Sequence, residues 1–530
     1  MIMFNTKFSA FLLAAASFLA CTKPAPETKP VLDDASDLQA EQLTLESVRL
    51  TWQDNAQGEA GYRVFLRGEG EGYHVEPLTT LSADSEIYTF EGLTAGEVCD
   101  FGVQAVSDDI TAHSSIVWLN GFKVVDWTKK PQVTKVDATY AYVAVSYKIA
   151  NLPDATVEHG VCFSAEGDPA VGDIKVRGPE IRQGTEIMLV VPNAYLEDGK
   201  EYRMSVYVRD GEEYMYSDPQ TVKLAGQPAT LELAWEKQEY AGAEGVDIYK
   251  TVSQLNGRNF NAWYAVADPS LVEFKVLDTP VGRADCKTVA EQAEAAEGCL
   301  ALINGGIYGN YHIGVIFTDG EPQEWVDNVY NNYWSPTGDG TLWNITRPII
   351  GVDRNGKAEA YWTASPAYGT YYYYTAPLPT VVGEAKYPEA SAGMPVQSAS
   401  WEPYNALSTG PMLLYDGKCC INHEKNAAGN YMTNYECWAL DIYEGCPDRT
   451  AVGITADGKI VLFICDGRID ASQGATHEEV AMIMKAIGCV HAMNLDGGGS
   501  TGMWVKDAGM VNHMDGSWRA VKSTLGFFSK

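Results

Sequence analysis

The stretch KIVLFICDGRIDASQGATHEEVAMIMKAIGCVHAMNLDGGGST, residues 459–501, decides how the larger part of the chain folds. Ile460 to Cys465 is an uninterrupted apolar run, the pattern of a strand buried on both faces. Thr476 followed three residues later by Glu479 is a capping box, and Val480, Ile483, Met484 and Ile487 recur at helical spacing until Gly488. Val490 to Leu495 returns as a strand. Strand, helix and strand in this order predict two parallel strands joined by a right-handed crossover. Ligands gather at the carboxyl ends of parallel strands. Asp466-Gly467-Arg468 and Asp496-Gly497-Gly498-Gly499-Ser500-Thr501 should therefore share one edge. Parallel neighbours lie ~4.8 Å apart, so if the two strands are adjacent the aspartates could approach the spacing of a glycosidase carboxylate pair.

Asp-Gly is also a common turn pair, so backbone bonding alone is the plain alternative for both aspartates. Three consecutive glycines argue for more, because they cost order and suit a backbone that approaches a ligand closely. Arg468 adds a forked donor that matches phosphate. Gly498 to Gly502 fits the Gly-x-Ser-x-Gly pattern formally, but a nucleophile elbow needs a following helix, and Met503-Trp504-Val505 reads as a strand. The missing helix and the missing Lys-Ser/Thr pair also exclude a phosphate-binding P-loop. The eight histidines form neither His-x-His nor His-Glu-x-x-His, leaving catalytic zinc without its usual ligands, and His477 and His491 read as packing residues. No cofactor is expected. Asp and Asn oxygens leave room for a structural divalent cation such as calcium, without any EF-hand pattern.

Working outward, Thr288 to Glu297 reads as a helix feeding a strand, Cys299 to Ile303, that ends at Asn304-Gly305-Gly306. Upstream of Gly226-Gln227-Pro228 the texture differs. Residues 41–127 show short alternating runs such as Val48-Arg49-Leu50-Thr51-Trp52 and Tyr62-Arg63-Val64-Phe65-Leu66, the signature of a β-sandwich. Residues 131–225 repeat it with Val143 to Tyr147 and Tyr202 to Val208. The predicted architecture is multidomain: two sandwiches, then an α+β or α/β catalytic domain over 228–530, able to fold alone, whose mixed sheet contains the parallel strand-helix-strand unit.

The 38 Lys and Arg against 70 Asp and Glu give a net charge of -32, which repels nucleic acid. Residues 1–21 read as a lipoprotein signal, with Lys7, an apolar run from Phe8 to Leu19, and Ala20-Cys21. Cys21 would carry the lipid, and 22–40, rich in Pro, Asp and Glu, would be a flexible tether. The expected location is the bacterial envelope, facing the periplasm or the exterior. Ten cysteines follow Cys21, and an oxidising compartment permits disulfides, but no Cys-x-x-Cys pair exists for a zinc ribbon.

Two resemblances sharpen this reading. Trp52, Leu93-Thr94-Ala95-Gly96 and Gln104-Ala105-Val106 make the first sandwich resemble a fibronectin type III domain. Asn304-Gly305-Gly306-Ile307-Tyr308, Gly410-Pro411-Met412, Arg449-Thr450-Ala451-Val452-Gly453, Asp466-Gly467-Arg468, Asn494 to Thr501 and Arg519 occur in the order of the phosphodiester glycosidase family, the family of the mannose 6-phosphate uncovering enzyme, across roughly 228–530. The aromatic-rich insertion from Trp325 to Tyr374 has no clear counterpart in that pattern. The resemblance implies cleavage of a sugar–phosphate bond and a glycosyl-phosphodiester substrate. Asp466 and Asp496 would then act as base or nucleophile and as stabilisers of an oxocarbenium-like state. Substrate binding would fall to Asn304, Gly305, Gly306, Arg449, Thr450, Arg468, Asn494, Gly497, Gly498, Gly499, Ser500, Thr501 and Arg519. The competing expectation is a non-catalytic surface lipoprotein that binds glycans or proteins.

The anchoring expectation rests on Cys21 after the apolar run. Cys21→Ala is expected to release the protein from the membrane fraction and abolish lipid labelling. Unchanged labelling of that variant contradicts it.

Overall fold

The structure is a computed structural model that describes residues 32–68, 76–108, 112–124, 131–149, 158–178, 187–210, 213–279, 285–309, 312–323, 326–327, 343–344, 346–367, 369–378, 381–382, 400–423, 435–436, 438, 443–513 and 516–530. The expected signal, Cys21, most of the tether and much of the aromatic insertion lie outside the described residues. The chain forms two compact units, Met1–Asp126 and Trp127–Lys530.

In the first unit a three-stranded sheet (Ser36–Thr44, Ser47–Gln53, Ile87–Phe90) faces a four-stranded one (Thr79–Ser82, Gly61–Gly68, Val98–Val106, Val117–Lys123). Alternation does what it predicts. Val48, Leu50 and Trp52 point inward and meet Tyr62, Val64, Phe101 and Val103 of the opposite sheet, while Arg49 and Thr51 stay partly exposed.

The second unit opens with another sandwich, of three strands (Gln132–Ala138, Tyr142–Lys148, Ile187–Pro192) against five around Glu201–Asp210. The boundary expected at Gly226 to Pro228 is not a break in the structure. Tyr147, Leu189, Val191 and Tyr195 share one continuous core with Val315, Ile349, Tyr373, Trp401 and Tyr435. Hydrogen bonds cross the seam as well: Tyr195 Oη donates to the Pro377 carbonyl at 2.6 Å, Asn193 Nδ2 to the Cys419 carbonyl at 2.8 Å, and Lys418 Nζ to the Leu196 carbonyl at 2.8 Å. The sandwich is part of the body that carries the candidate site.

The central sheet has eight strands in the order Glu236–Gln238, Asp247–Leu255, Arg258–Ala267, Ile460–Cys465, Arg449–Thr455, Cys489–Asn494, Met412–Tyr415, Lys418–Cys419. Every neighbouring pair in it is antiparallel. The expected helix is present as His477–Ile487, with both halves of the Thr476/Glu479 capping box formed and Gly488 left-handed at φ 108°. Its two flanking strands do run in the same direction, but Arg449–Thr455 lies between them and pairs antiparallel with each. The expected mixed sheet is thus corrected to an antiparallel one, in which the two strands of the strand-helix-strand unit are parallel to each other but are not neighbours. Ile460–Cys465 is buried on both faces, as its apolar run requires, because the helix covers one face and a second sheet covers the other. That second sheet holds Glu273–Asp278, Ser523–Phe528, Cys299–Asn304, Met503–Val505 and Gly509–Met510.

A fragment of residues 228–530 would expose the apolar seam, where each large side chain loses about 1.5–3 kcal/mol of burial. It is expected to be recovered insoluble, or with a much lower urea midpoint than 131–530. Within the intact chain, Tyr195→Phe should cost about 1 kcal/mol by denaturant titration, the worth of one buried hydrogen bond. Equal stability of the two fragments would show that the seam contributes nothing.

Candidate active site

Strand direction alone brings the chemistry together. Ile460–Cys465 and Cys489–Asn494 end at the edge where Arg449–Thr455 begins, so Asp466, Asp448-Arg449 and the Asp496 loop converge there. Two strand spacings separate the outer pair, roughly 10 Å, twice the distance that direct pairing would have given. A cavity of about 270 Å³ opens at this edge, lined by Asp496, Gly497, Gly498, Gly499 and Asn494, by Arg449, Arg468 and Arg519, and by the apolar walls Ile307, Pro447 and Leu495.

Each guanidinium is held differently. Arg449 is 2% exposed. It donates to the carbonyls of Ala475 at 3.1 Å and Gly445 at 3.2 Å, and to His477 Nε2 at 3.0 Å. Burial lowers it to about 10, which still leaves it charged at neutral pH. His477, at the first turn of the helix, is held neutral by burial and then by that charge, far below the usual imidazole range. Since Arg449 is the donor, the His477 proton must sit on Nδ1. Arg468, at φ 60°, reaches back to Asp448 at 2.8 Å. Asp448 is itself buried, and burial raises its carboxyl against the pull of Arg468. Arg519 donates to Ser500 Oγ at 3.4 Å, and among the described residues no carboxylate lies within ion-pair distance of it.

The glycines owe their place to these arginines. A Cβ on Gly499 would stand 2.9 Å from Arg519 Nη2, and one on Gly498, where φ is +58°, would stand 3.3 Å from Arg468 Nη2. The loop is bare so that two guanidiniums can lie against it. Asp496 is half-buried at the start of this loop and accepts from the Gly497 N–H at 3.0 Å.

Several expected contacts prove internal. Asn304 is fully buried: its Oδ1 accepts from Thr450 Oγ1 at 2.8 Å and the Gly502 N–H at 3.2 Å, while its Nδ2 donates to the Asp496 carbonyl at 2.7 Å. Its amide is used up in clamping the Asp496 loop to the second sheet. Thr450 and Thr501 belong to the same buried network, joined at 3.2 Å. Gly305 and Gly306 pack against Ser523 and His312 with no room for a side chain. Ser500 is buried and reached by Arg519 rather than lining the cavity. Asp466, expected as a second catalytic carboxylate, lies outside the cavity wall and is wholly buried. It accepts from the His513 N–H at 3.1 Å, and burial raises it to about 6. The sequence reading missed Asp448 and His477 as partners of the arginines. Their signal was slight: Asp448 immediately precedes Arg449, and His477 stands next to the helix cap. Among the described residues Cys99, Cys162, Cys299, Cys419, Cys420, Cys446, Cys465 and Cys489 are free thiols, and the group of acids with metal-ligand spacing is Asp54, Glu59 and Asp84 of the first unit.

A small concave site lined by three arginines and one carboxylate has the charge and the forked donors that an anionic group such as a phosphate would need. Residues 380–528, which supply all of that lining except Ile307, match the phosphodiester glycosidase family. Over 77 residues it is 39% identical to the SPbeta prophage-derived uncharacterized protein YomE of Bacillus subtilis (strain 168), a match that covers 14% of this chain and 12% of that protein's length. It is similar to the zebrafish N-acetylglucosamine-1-phosphodiester alpha-N-acetylglucosaminidase catalytic domain auto-inhibited by its pro-peptide, at 20% identity over 57% of this chain and 91% of that one, with a TM-score of 0.35. It is similar also to a putative exported protein from Burkholderia pseudomallei K96243, at 14% identity, 75% and 96% coverage, and a TM-score of 0.35. A two-domain fibronectin type III segment of chicken tenascin aligns at 19% identity over 36% of this chain and 98% of that one, with a TM-score of 0.18.

Asp466 predicts a pH signature. Its folded carboxyl titrates at about 6 against 3.8 for an ordinary aspartate. Between these values the native state keeps a proton that the unfolded chain has released, so stability falls as pH rises through that window. The loss is complete above pH 6 and is at most about 3 kcal/mol. Asp466→Asn, which keeps an acceptor for His513, should be more stable than the parent at pH 8 and gain nothing at pH 4. Urea midpoints at the two pH values check it.

Proposed function

We propose that the chain hydrolyses the glycosyl-phosphate bond of a sugar phosphodiester of the N-acetylglucosamine-1-phosphodiester kind, releasing free sugar and a phosphomonoester. The observation that carries this is the convergence of Arg449, Arg468 and Arg519 on one cavity that Asp496 also lines. A phosphate diester carries one negative charge and leaves as a monoester, a far better leaving group than an alcohol. Holding that charge matters more than protonating the departing oxygen. In the reaction the bond from the anomeric carbon to the phosphate oxygen breaks, water supplies the new hydroxyl to the sugar, and its proton is accepted by a carboxylate. Arg468 and Arg519 flank the glycine loop and suit the phosphate oxygens, with Arg449 as a fixed charge behind them. Asp496 is given the direct role at the anomeric centre, as base or nucleophile and as stabiliser of positive charge there. Asp466 is given a positioning role beneath His513.

Asp496→Asn, nearly equal in size, is expected to lose about 10²–10⁴ in turnover while its unfolding midpoint stays close to the parent's. Arg519→Ala should raise KM for phosphodiesters more than for neutral glycosides. The assay incubates the full chain with a panel of glycosyl-phosphodiesters and monitors free sugar and phosphomonoester together. Full activity in Asp496→Asn removes that residue from the mechanism, and efficient cleavage of simple alkyl glycosides contradicts phosphate as the leaving group.

A further inference from the structure

A second cleft, of about 420 Å³, lies in the six-stranded sheet that holds Arg347–Asp353, Ala358–Ala367, Thr370–Tyr374 and Pro403–Ser408. Its lining is aromatic, with Phe317, Tyr371, Tyr373, Trp401 and Tyr404, and Arg354 and Glu402 stand exposed at its rim. Part of this set is ordinary core. Trp401 is 6% exposed and packs against Tyr361 and Tyr373 with ring centroids 5.4 and 5.2 Å away. Packing alone does not account for the rim. Tyr404 is half-buried, and the guanidinium of Arg354 lies over its ring at 4.6 Å, fixing it as a platform. Gly320, at φ +87°, leaves that ring clear, since a Cβ there would come within 3.3 Å of Tyr404 Cδ2.

Aromatic faces that meet C–H surfaces, beside forked donors and carboxylate acceptors for hydroxyl groups, are what a sugar ring requires. The rim carries one positive and one negative side chain, unlike the three arginines of the cavity described above, so its chemistry suits a neutral ligand. The two places are distinct. Arg347, at the near end of its strand, donates to the Glu436 carbonyl at 3.3 Å, and Thr409, just past the end of the neighbouring strand, accepts from the N–H of the cavity residue Ile307 at 3.2 Å. Arg354 and Tyr404 lie at the opposite ends of those same strands, some six residues or roughly 20 Å away. We propose that this cleft is a binding site for a neutral saccharide, separate from the site of bond cleavage. The proposal stands on its own lining and does not depend on the hydrolytic reading.

The test uses the full chain with linear neutral tetrasaccharides of glucose, of mannose and of N-acetylglucosamine at millimolar concentration, read by saturation-transfer NMR and by tryptophan fluorescence. At least one of the three is expected to bind, at least 10-fold more weakly in Tyr404→Ala and in Arg354→Ala, and unchanged in Asp496→Asn. Both cleft residues reach solvent, so folding should survive, and thermal midpoints verify it. Should Tyr404→Ala unfold, Arg354→Ala and Glu402→Gln decide. Absence of binding by all three saccharides overturns the proposal, as does binding that is indifferent to the cleft variants or is lost in Asp496→Asn or Arg519→Ala.

Discussion

One antiparallel strand organises the site. Arg449–Thr455 inserts between two strands that run the opposite way, and its register with both is continuous over most of its length. The sheet edge where its neighbours end is the edge where it begins. A buried cation and a buried carboxylate, Arg449 and Asp448, are therefore delivered between the two Asp-Gly loops by backbone direction alone. Moving this strand by one residue would turn Arg449 to the opposite face and put Asp448 or Thr450 in its place at the cavity.

Around that strand the polar groups are fixed by exchange among themselves. Asn304 spends all of its amide on the Asp496 loop and on Thr450, so the loop cannot drift from the second sheet. Arg468 is held by Asp448, whose own carbonyl accepts from the Gly498 N–H at 2.9 Å. His477 is kept neutral beneath Arg449 and shapes its fork without competing for charge. A ligand that enters meets donors already aimed, so little ordering remains to oppose binding.

The neighbouring sandwich is joined to this body by apolar packing as well as by hydrogen bonds. Sharing a core makes it a wall of the larger unit, where it holds the six-stranded sheet and, through it, the aromatic cleft. The first sandwich, by contrast, has a closed core and forms a unit by itself.

What the sequence by itself determined was local. The capping box at Thr476, the apolar run of Ile460 to Cys465, the alternation in both sandwiches and the segment that matches the phosphodiester glycosidase family were legible because each depends on residues close in the chain. Asp496, the glycine loop and Arg468 were also picked out by residue type, and Arg449 and Arg519 through the resemblance to that family. Only the tertiary structure decided that Arg449–Thr455 parts the two flanking strands, that Asp466 is buried away from the cavity, and that Asn304 and Thr450 are clamps rather than ligand contacts. It also decided that the sandwich of residues 131–225 shares a core with the six-stranded sheet around Ile349 and Tyr373. These are pairings between residues far apart along the chain, chosen by which faces can be buried together. Hydrophobic periodicity says that a face must be covered, but it carries no information on which distant segment covers it.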